Sequence, residues 1–434
     1  MKHPMRSRYC DGVTRRDFLQ AGAIGSVGLT MPSFLRLAQA NEGRKSSADA
    51  VLFINLEGGP SHLDTLDMKP EGPSETRGEF QPIQSQIPGL NVCEHMPKFA
   101  AAADKFALVR GISHSAGSHP LGQSYISTGN RPTPALIYPS LGAVATKELP
   151  GESDMPSYIA IPRTEWNAGF MGDAYSPFKT NAVPRPGEPF VVRGISLAEG
   201  LTVDRVNRRE QLLKKVDRTF READTNSQLL EALDKFSGQA YSMITSPRAQ
   251  KAFDVTLESE AIQQRFSNDE INQSLLLACR LIEFGVPFVT VSNAGWDTHT
   301  DNFSGHKRLI PPLDAGLPAV IETLADKGLL ERTLVVAMGE FGRTPTINVN
   351  TGRDHYPRVN WSVFAGGGVQ PGQLIGGTDQ GGEAPDDGTD ITPDDIAATI
   401  YHALGIDPRT EYHTNTGRPV MLVPHGRIIT DLFS

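Results

Sequence analysis

Val51-Leu52-Phe53-Ile54-Asn55-Leu56, running directly into Glu57-Gly58-Gly59-Pro60-Ser61-His62-Leu63-Asp64-Thr65-Leu66-Asp67, is the stretch on which the fold turns. A strand with one wet face alternates apolar and polar residues, whereas a strand covered on both faces reads as a continuous apolar run. Residues 51–56 are of the second kind and predict a buried parallel strand. A loop rich in glycine and proline follows at once. In open parallel sheets ligands bind beyond the carboxyl ends of the strands, so His62 and Asp64 stand where chemistry is expected.

The same pattern recurs downstream. A strand at 106–110 leads to Ser113-His114 and then to Gly117-Ser118-His119-Pro120, where the proline suits the first turn of a helix ending near Thr128-Gly129. A strand at 287–292 is followed by Gly295-Trp296-Asp297-Thr298-His299, and a helix is predicted over 311–327. The strand 333–338 ends in Gly339-Glu340-Phe341-Gly342-Arg343, a loop presents Gly352-Arg353-Asp354-His355, and a further strand covers 361–365. Thr392-Pro393-Asp394-Asp395 is a strong helix start, with a capping residue, proline at the first position and acids in the first turn. The Pro/Gly-rich stretch from about 130 to 200 reads as an irregular insertion with short strands. Apolar residues at helical spacing over 203–284 predict two or three amphipathic helices. No internal repeat is visible.

The totals agree with a folded enzyme-sized domain. The chain has 434 residues, 38% apolar and 21% charged, enough for a sizeable core in one large domain or in two, a choice that length alone does not make; the expectation taken forward is one domain over 50–434. A formal charge of -9, with no basic stripe interleaved with aromatics, argues against nucleic acid as a partner. Three cysteines, Cys10, Cys93 and Cys279, lack any C-x-x-C spacing, which excludes a zinc knuckle; Cys93 and Cys279 are open either to one disulfide or to two separate buried thiols.

The amino terminus carries an address. Arg15-Arg16-Asp17-Phe18-Leu19 matches the twin-arginine export consensus, an apolar run over 21–31 follows, and Ala38-Gln39-Ala40 supplies small residues for cleavage. Residues 1–40 are therefore expected to be a signal peptide read by the twin-arginine export machinery, and 41–49 a polar linker. The run is too short for a stable membrane span. Cleavage after Ala40 removes six basic and two acidic residues, so the mature chain moves from -9 to -13, in a periplasmic or extracellular setting.

Four predicted strand-end loops each carry carboxylate, imidazole or both: His62 with Asp64, Asp297 with His299, Glu340, and Asp354 with His355. Mixed oxygen and nitrogen sets of this kind suit a divalent zinc, manganese or iron ion, while calcium favours oxygen alone. These seven residues are the expected metal ligands. His95, His306, His402, His413 and His425 are expected to be ordinary structural or surface histidines.

The motifs Gly-Gly-Pro-Ser-His-Leu-Asp-Thr-Leu-Asp (58–67), Gly-Trp-Asp-Thr-His (295–299), Met-Gly-Glu-Phe-Gly-Arg-Thr-Pro (338–345) and Gly-Arg-Asp-His (352–355) resemble those of the bacterial family known as domain of unknown function 1501, over nearly the whole mature chain. That family is placed among relatives of sulfatases and alkaline phosphatases. The resemblance implies an alkaline-phosphatase/sulfatase-like α/β three-layer sandwich with a mostly parallel central sheet. Glu340 then occupies the slot of a metal-binding aspartate, and 391–406 is similar to the late sulfatase helix ending in Leu-x-Gly-Ile. Two departures stand out. The sulfatase nucleophile motif has no counterpart, the same interval before Thr128-Gly129 falling on His119, and Phe341 stands where a ligand His or Asn is expected.

Two functions of different class follow as expectations. One is an exported metal-dependent hydrolase of sulfate or phosphate esters, acting on an anionic small-molecule or glycan ester. There His119 serves as nucleophile, base or further ligand, Ser118 is the alternative nucleophile, and Arg343 or Arg353 grips the anionic group. The other is a noncatalytic sulfatase-like protein that binds an anionic glycan or a partner protein.

Overall fold

In the computed structural model, residues 46–149, 151–152, 154–190, 192 and 241–434 are described. The expected signal peptide over 1–40 and most of the expected linker, together with 203–240 of the expected helical region, lie outside them.

Eight strands form one sheet. In chain order they are β1 (Ala50–Glu57), β2 (Ala107–Arg110), β3 (Tyr158–Ile161), β4 (Phe178–Lys179), β5 (Phe288–Ala294), β6 (Thr333–Met338), β7 (Trp361–Ala365) and β8 (Leu374–Ile375), with spatial order β8-β2-β7-β6-β1-β5-β3-β4. Every pairing is parallel except the two made by β7, which runs against both β2 and β6. Strand β1 lies between β5 and β6. Glu57 is in register with Ala294, and Asn55 with Met338, so three strands end together at one edge.

Helices cover both faces. With α1 (His119–Thr128), α2 (Leu141–Glu148), α3 (Glu270–Glu283), α4 (Asn302–Asp326) and α5 (Pro393–Ala403), the chain is an α/β three-layer sandwich. Leu52, Ile54 and Leu56 of β1 pack into the cluster that includes Leu275 of α3 and Leu313 and Leu317 of α4. Val51 and Phe53 point the other way, among Ile126 of α1, Val144 of α2 and Ile396 and Ile400 of α5. Two covered faces are why the run 51–56 carries no alternation.

Two expectations are revised and one left open is settled. The 130–200 stretch is not only an irregular insertion: it holds α2, and it supplies β3 and β4 to the main sheet beside β5. Helix α4 begins at Asn302, nine residues before the predicted start, and carries Pro311, Pro312 and Pro318 internally. Pro311 and Pro312 take the amide partners from the carbonyls of Lys307 and Arg308, two residues exposed on the helix surface. Cys93 and Cys279 are separate buried thiols; burial pushes the Cys93 thiol up to about 12. Among the described residues no helix is long and apolar enough to cross a membrane.

Candidate metal centre

The carboxyl edge of β1, β5 and β6 is where the loops converge. Gly58, one residue beyond β1, has φ +112°, and a Cβ there would sit 2.4 Å from the backbone nitrogen of Asp297. Only glycine lets the β1 and β5 loops come this close. Arg343 then ties them: its fully buried guanidinium donates to the carbonyls of Gly58, Gly59 and Trp296, to that of Arg353, and at 2.7 Å to Asp297 Oδ1. A short antiparallel ribbon, Gly342–Arg343 against His355–Tyr356, carries His355 to the same place. His119 arrives as the first residue of α1, whose N-cap, Ser118, is extended.

Asp297 is the centre of this arrangement. Its Oδ2 lies 3.2 Å from His119 Nε2, and its Oδ1 lies 3.2 Å from His299 Nε2 and 3.3 Å from His355 Nε2. His119, Asp297 and His355 each offer a ligand atom within 4.8 Å of the others. The three rings share an orientation. Each turns Nε2 inward while Nδ1 is held from behind: His119 by Glu340 Oε1 at 2.6 Å, His299 by Asp354 Oδ1 at 2.6 Å, and His355 by the carbonyl of Gly117 at 2.9 Å.

Those outer bonds set the tautomers. A carbonyl only accepts, and an ionised carboxylate only accepts, so Nδ1 of His355 and of His299 carries the proton. In the neutral rings both Nε2 atoms then present lone pairs, yet they lie 3.0 Å apart. Two facing lone pairs repel unless something positive sits beside them. Metal-ligating histidines show this pattern, with the second ring nitrogen donating to a carboxylate or backbone carbonyl. Zinc bonds to nitrogen and oxygen of about 2.0–2.2 Å put neighbouring ligand atoms of a tetrahedron about 3.3–3.6 Å apart, close to the 3.0–3.3 Å found here. The donor set fits a zinc, manganese or iron ion, and three imidazoles do not fit calcium.

The electrostatics are consistent with a site built around charge. Burial works against the Asp297 carboxylate, but Arg343 outweighs it and holds the carboxyl down at about 2. The hydrogen bond that His119 donates to Glu340 raises His119, against burial. His355 is lowered, chiefly by burial. Burial raises the Glu57 carboxyl beside the centre; Ser292 opposes the rise and Glu340 adds to it.

Of the seven expected ligands, three are at the centre: Asp297, His299 and His355. Glu340 and Asp354 stand one bond back, behind His119 and His299. Glu340 is saturated, taking the Gly58 amide at 3.0 Å and Gln123 Nε2 at 2.7 Å as well as His119. Asp64 and His62 are elsewhere. Asp64 is fully buried and takes both Arg353 Nε at 2.7 Å and Nη2 at 3.1 Å, with Asn302 Nδ2 at 2.9 Å; burial resists its ionisation, and Arg353 overcomes that, so its carboxyl lies below the usual range. His62, also fully buried, donates Nε2–H to the Gly382 carbonyl at 2.9 Å.

The arginines are corrected too: Arg343 and Arg353 are both fully buried and spent on carbonyls, Asp297 and Asp64, so neither is free to grip an anion. Ser118 is exposed, and its side chain makes no capping bond. Phe341 is fully buried, its ring packed 4.6 Å from that of His355 and 5.2 Å from that of His119. Gln123 was missed; its spacing of four from His119 places both on one helix face and signals a shared target.

Fold and site together define an α/β protein with a histidine-rich, cation-type centre at the carboxyl edge of a mostly parallel sheet. The chain belongs to the family described as a protein of unknown function (DUF1501), whose model matches residues 48–433. A search of curated proteins gave no match. Solved structures to which the chain is similar include the lipoteichoic acid synthase LtaP from Listeria monocytogenes, at 10% identity over 91% of this chain and 77% of that one with a TM-score of 0.39. PsFucS1 sulfatase from Pseudoalteromonas sp. aligns at 15% identity over 86% and 70% with a TM-score of 0.35. A TAB5 alkaline phosphatase mutant aligns at 10% identity over 83% and 99% with a TM-score of 0.34.

Proposed function

We propose that the protein is an exported metal-dependent hydrolase of phosphate or sulfate esters. The observation that carries the metal is the 3.0 Å approach of His299 Nε2 to His355 Nε2 with both Nδ1 atoms committed to acceptors. The ester class follows from the sequence resemblance to sulfatases and alkaline phosphatases. His119, His299, His355 and Asp297 would hold the ion. When bound, it would polarise an ester oxygen and lower the pKa of a water.

The chain's own residues do the rest. Glu340, Asp354 and the Gly117 carbonyl fix the rings; Arg343 orients Asp297. The exposed Ser118 hydroxyl, one residue before His119, remains the candidate protein nucleophile. His119 acts as a ligand in this reading, because Glu340 fixes its Nδ1 and turns its Nε2 toward Asp297.

Elemental analysis of purified protein, with turnover of a panel of aryl phosphates and aryl sulfates, tests the reading. About one equivalent of zinc, manganese or iron and hydrolysis of one ester class is the expected result. Metal-replete protein that cleaves neither class sinks the hydrolase. The alternative, a noncatalytic binder of an anionic glycan or a partner protein, draws support from the missing sulfatase nucleophile motif and from Phe341 at a position where a ligand is expected, and it predicts bound metal without turnover.

Export rests on the residues 1–40 alone. Full-length protein should reach the periplasm or medium through the twin-arginine route. Replacing Arg15 and Arg16 by lysine should leave it in the cytoplasm; unchanged fractionation would refute the assignment.

A further inference from the structure

A cavity of about 390 Å3 opens beside the metal centre and is not accounted for by the ion. Its wall includes Glu57, Gln123, Glu165, Trp166, Asp297 and Glu340, and no lysine or arginine. Asp297 and Glu340 are occupied by the histidines. Glu57 takes the Asn55 amide at 3.5 Å, has the Ser292 side chain beside it and pairs with no cation of the cavity wall. Glu165 is exposed and forms no hydrogen bond or ion pair among the described residues, and the cation that acts on Glu57, Arg163, is exposed and outside the cavity wall. Trp166, half-exposed, follows Glu165 directly and is held by a bond from its amide to Thr164 Oγ1 at 3.2 Å.

An indole face attracts an ammonium through its quadrupole, and more strongly where the group is partly desolvated. Carboxylates on the same wall add to that attraction and repel a second anion. The cavity touches the centre through His119 and Asp297, so a group seated in it would extend from an ester held there.

We propose that this cavity binds the alcohol part of the substrate and that this part carries an ammonium group, seated on Trp166 between Glu57 and Glu165. The chemistry is shared by an amino sugar and by a choline-type headgroup. The proposal rests on the hydrolase reading for calling the ligand a substrate, while the binding itself is measured without turnover.

The chain has three tryptophans, and Trp296 and Trp361 are fully buried, so ligand-dependent emission changes report Trp166. Full-length metal-loaded protein is titrated with glucosamine, choline and glucose. A saturable change with glucosamine or choline, and binding about tenfold weaker for glucose, is expected. Calorimetry should show Glu165→Gln and Trp166→Ala weakening the ammonium ligand about five- to tenfold while metal content is unchanged. The tighter of the two ammonium probes tells an amino-sugar ring from a headgroup. Equal affinity for glucose and glucosamine, or no saturable change with either ammonium probe, overturns the inference. Ammonium-selective binding without hydrolysis of any ester leaves it standing as a binding site and sinks the hydrolase; ester turnover without ammonium selectivity does the reverse.

Discussion

Two loops of this molecule look alike in sequence and do opposite things. His62-Leu63-Asp64 follows β1, and Asp297-Thr298-His299 follows β5; each pairs an acid with an imidazole two residues away at the same sheet edge. Asp64 is fully buried with its oxygens filled by Arg353 and Asn302. The Asp297 side chain is 45% exposed; Arg343 holds one of its oxygens, and three imidazole nitrogens face the carboxylate from the open side. A carboxylate whose partners are permanent is a structural lock, and one whose partners are lone-pair donors is a place for a cation.

The sharpest break of this comparison is Asp64→Asn. It leaves the Arg353 guanidinium buried without its counter-charge and should cost about 3–5 kcal/mol of stability. Denaturant unfolding measures the loss, and metal bound per folded molecule should stay the same; a drop in metal with unchanged stability would exchange the roles of the two loops.

The lock side also has a pH signature. His306 is fully buried, accepts the Ser61 amide at Nε2 and is pushed by burial down to about 4. The unfolded chain takes up its proton near pH 6.5 and the folded chain does not, so stability is full above about pH 6.5 and falls as pH drops toward 4. The total loss is about 3 kcal/mol. In His306→Gln the denaturation midpoint should lose much of this slope between pH 6.5 and 4; an unaltered slope would remove His306 from the account.

On the open side, His355→Ala should reduce metal affinity by about a hundredfold or more, while the metal-free protein keeps its unfolding midpoint within about 1 kcal/mol. Competition with a chelator reads the first and denaturation the second. The smallest effect is expected for Asp354→Asn, which keeps a hydrogen bond to His299 but removes a charge that is more than half exposed. Its affinity should fall about tenfold. A larger fall than for His355→Ala would make Asp354 a ligand.

The comparison also explains what could be read from the sequence. The run 51–56 declared a strand covered on both faces, and Thr392 with Asp395 declared the start of α5, because both signals are local. The direction of β7 was not legible, since a strand covered on both faces is apolar whichever way it runs and the parallel reading is only the commoner case. Strands β3 and β4 have four and two residues within a proline-rich stretch and gain their place from pairing with β5 and with each other. Proline at a first helical turn and proline inside a helix look alike locally, which moved the predicted start of α4. At the centre, the residue types pointed to metal chemistry, but the division between Asp64 and Asp297 depends on Arg353, 289 residues from Asp64. No spacing rule carries that information.

The central claim is that three Nε2 atoms and the Asp297 carboxylate enclose one cation. Anomalous difference density collected across the zinc, iron and manganese edges, on crystals of protein purified without chelator, tests it directly. A single peak about 2.0–2.2 Å from His119 Nε2, His299 Nε2, His355 Nε2 and Asp297 is predicted. No peak there, or one beside His62 and Asp64 instead, would contradict the account.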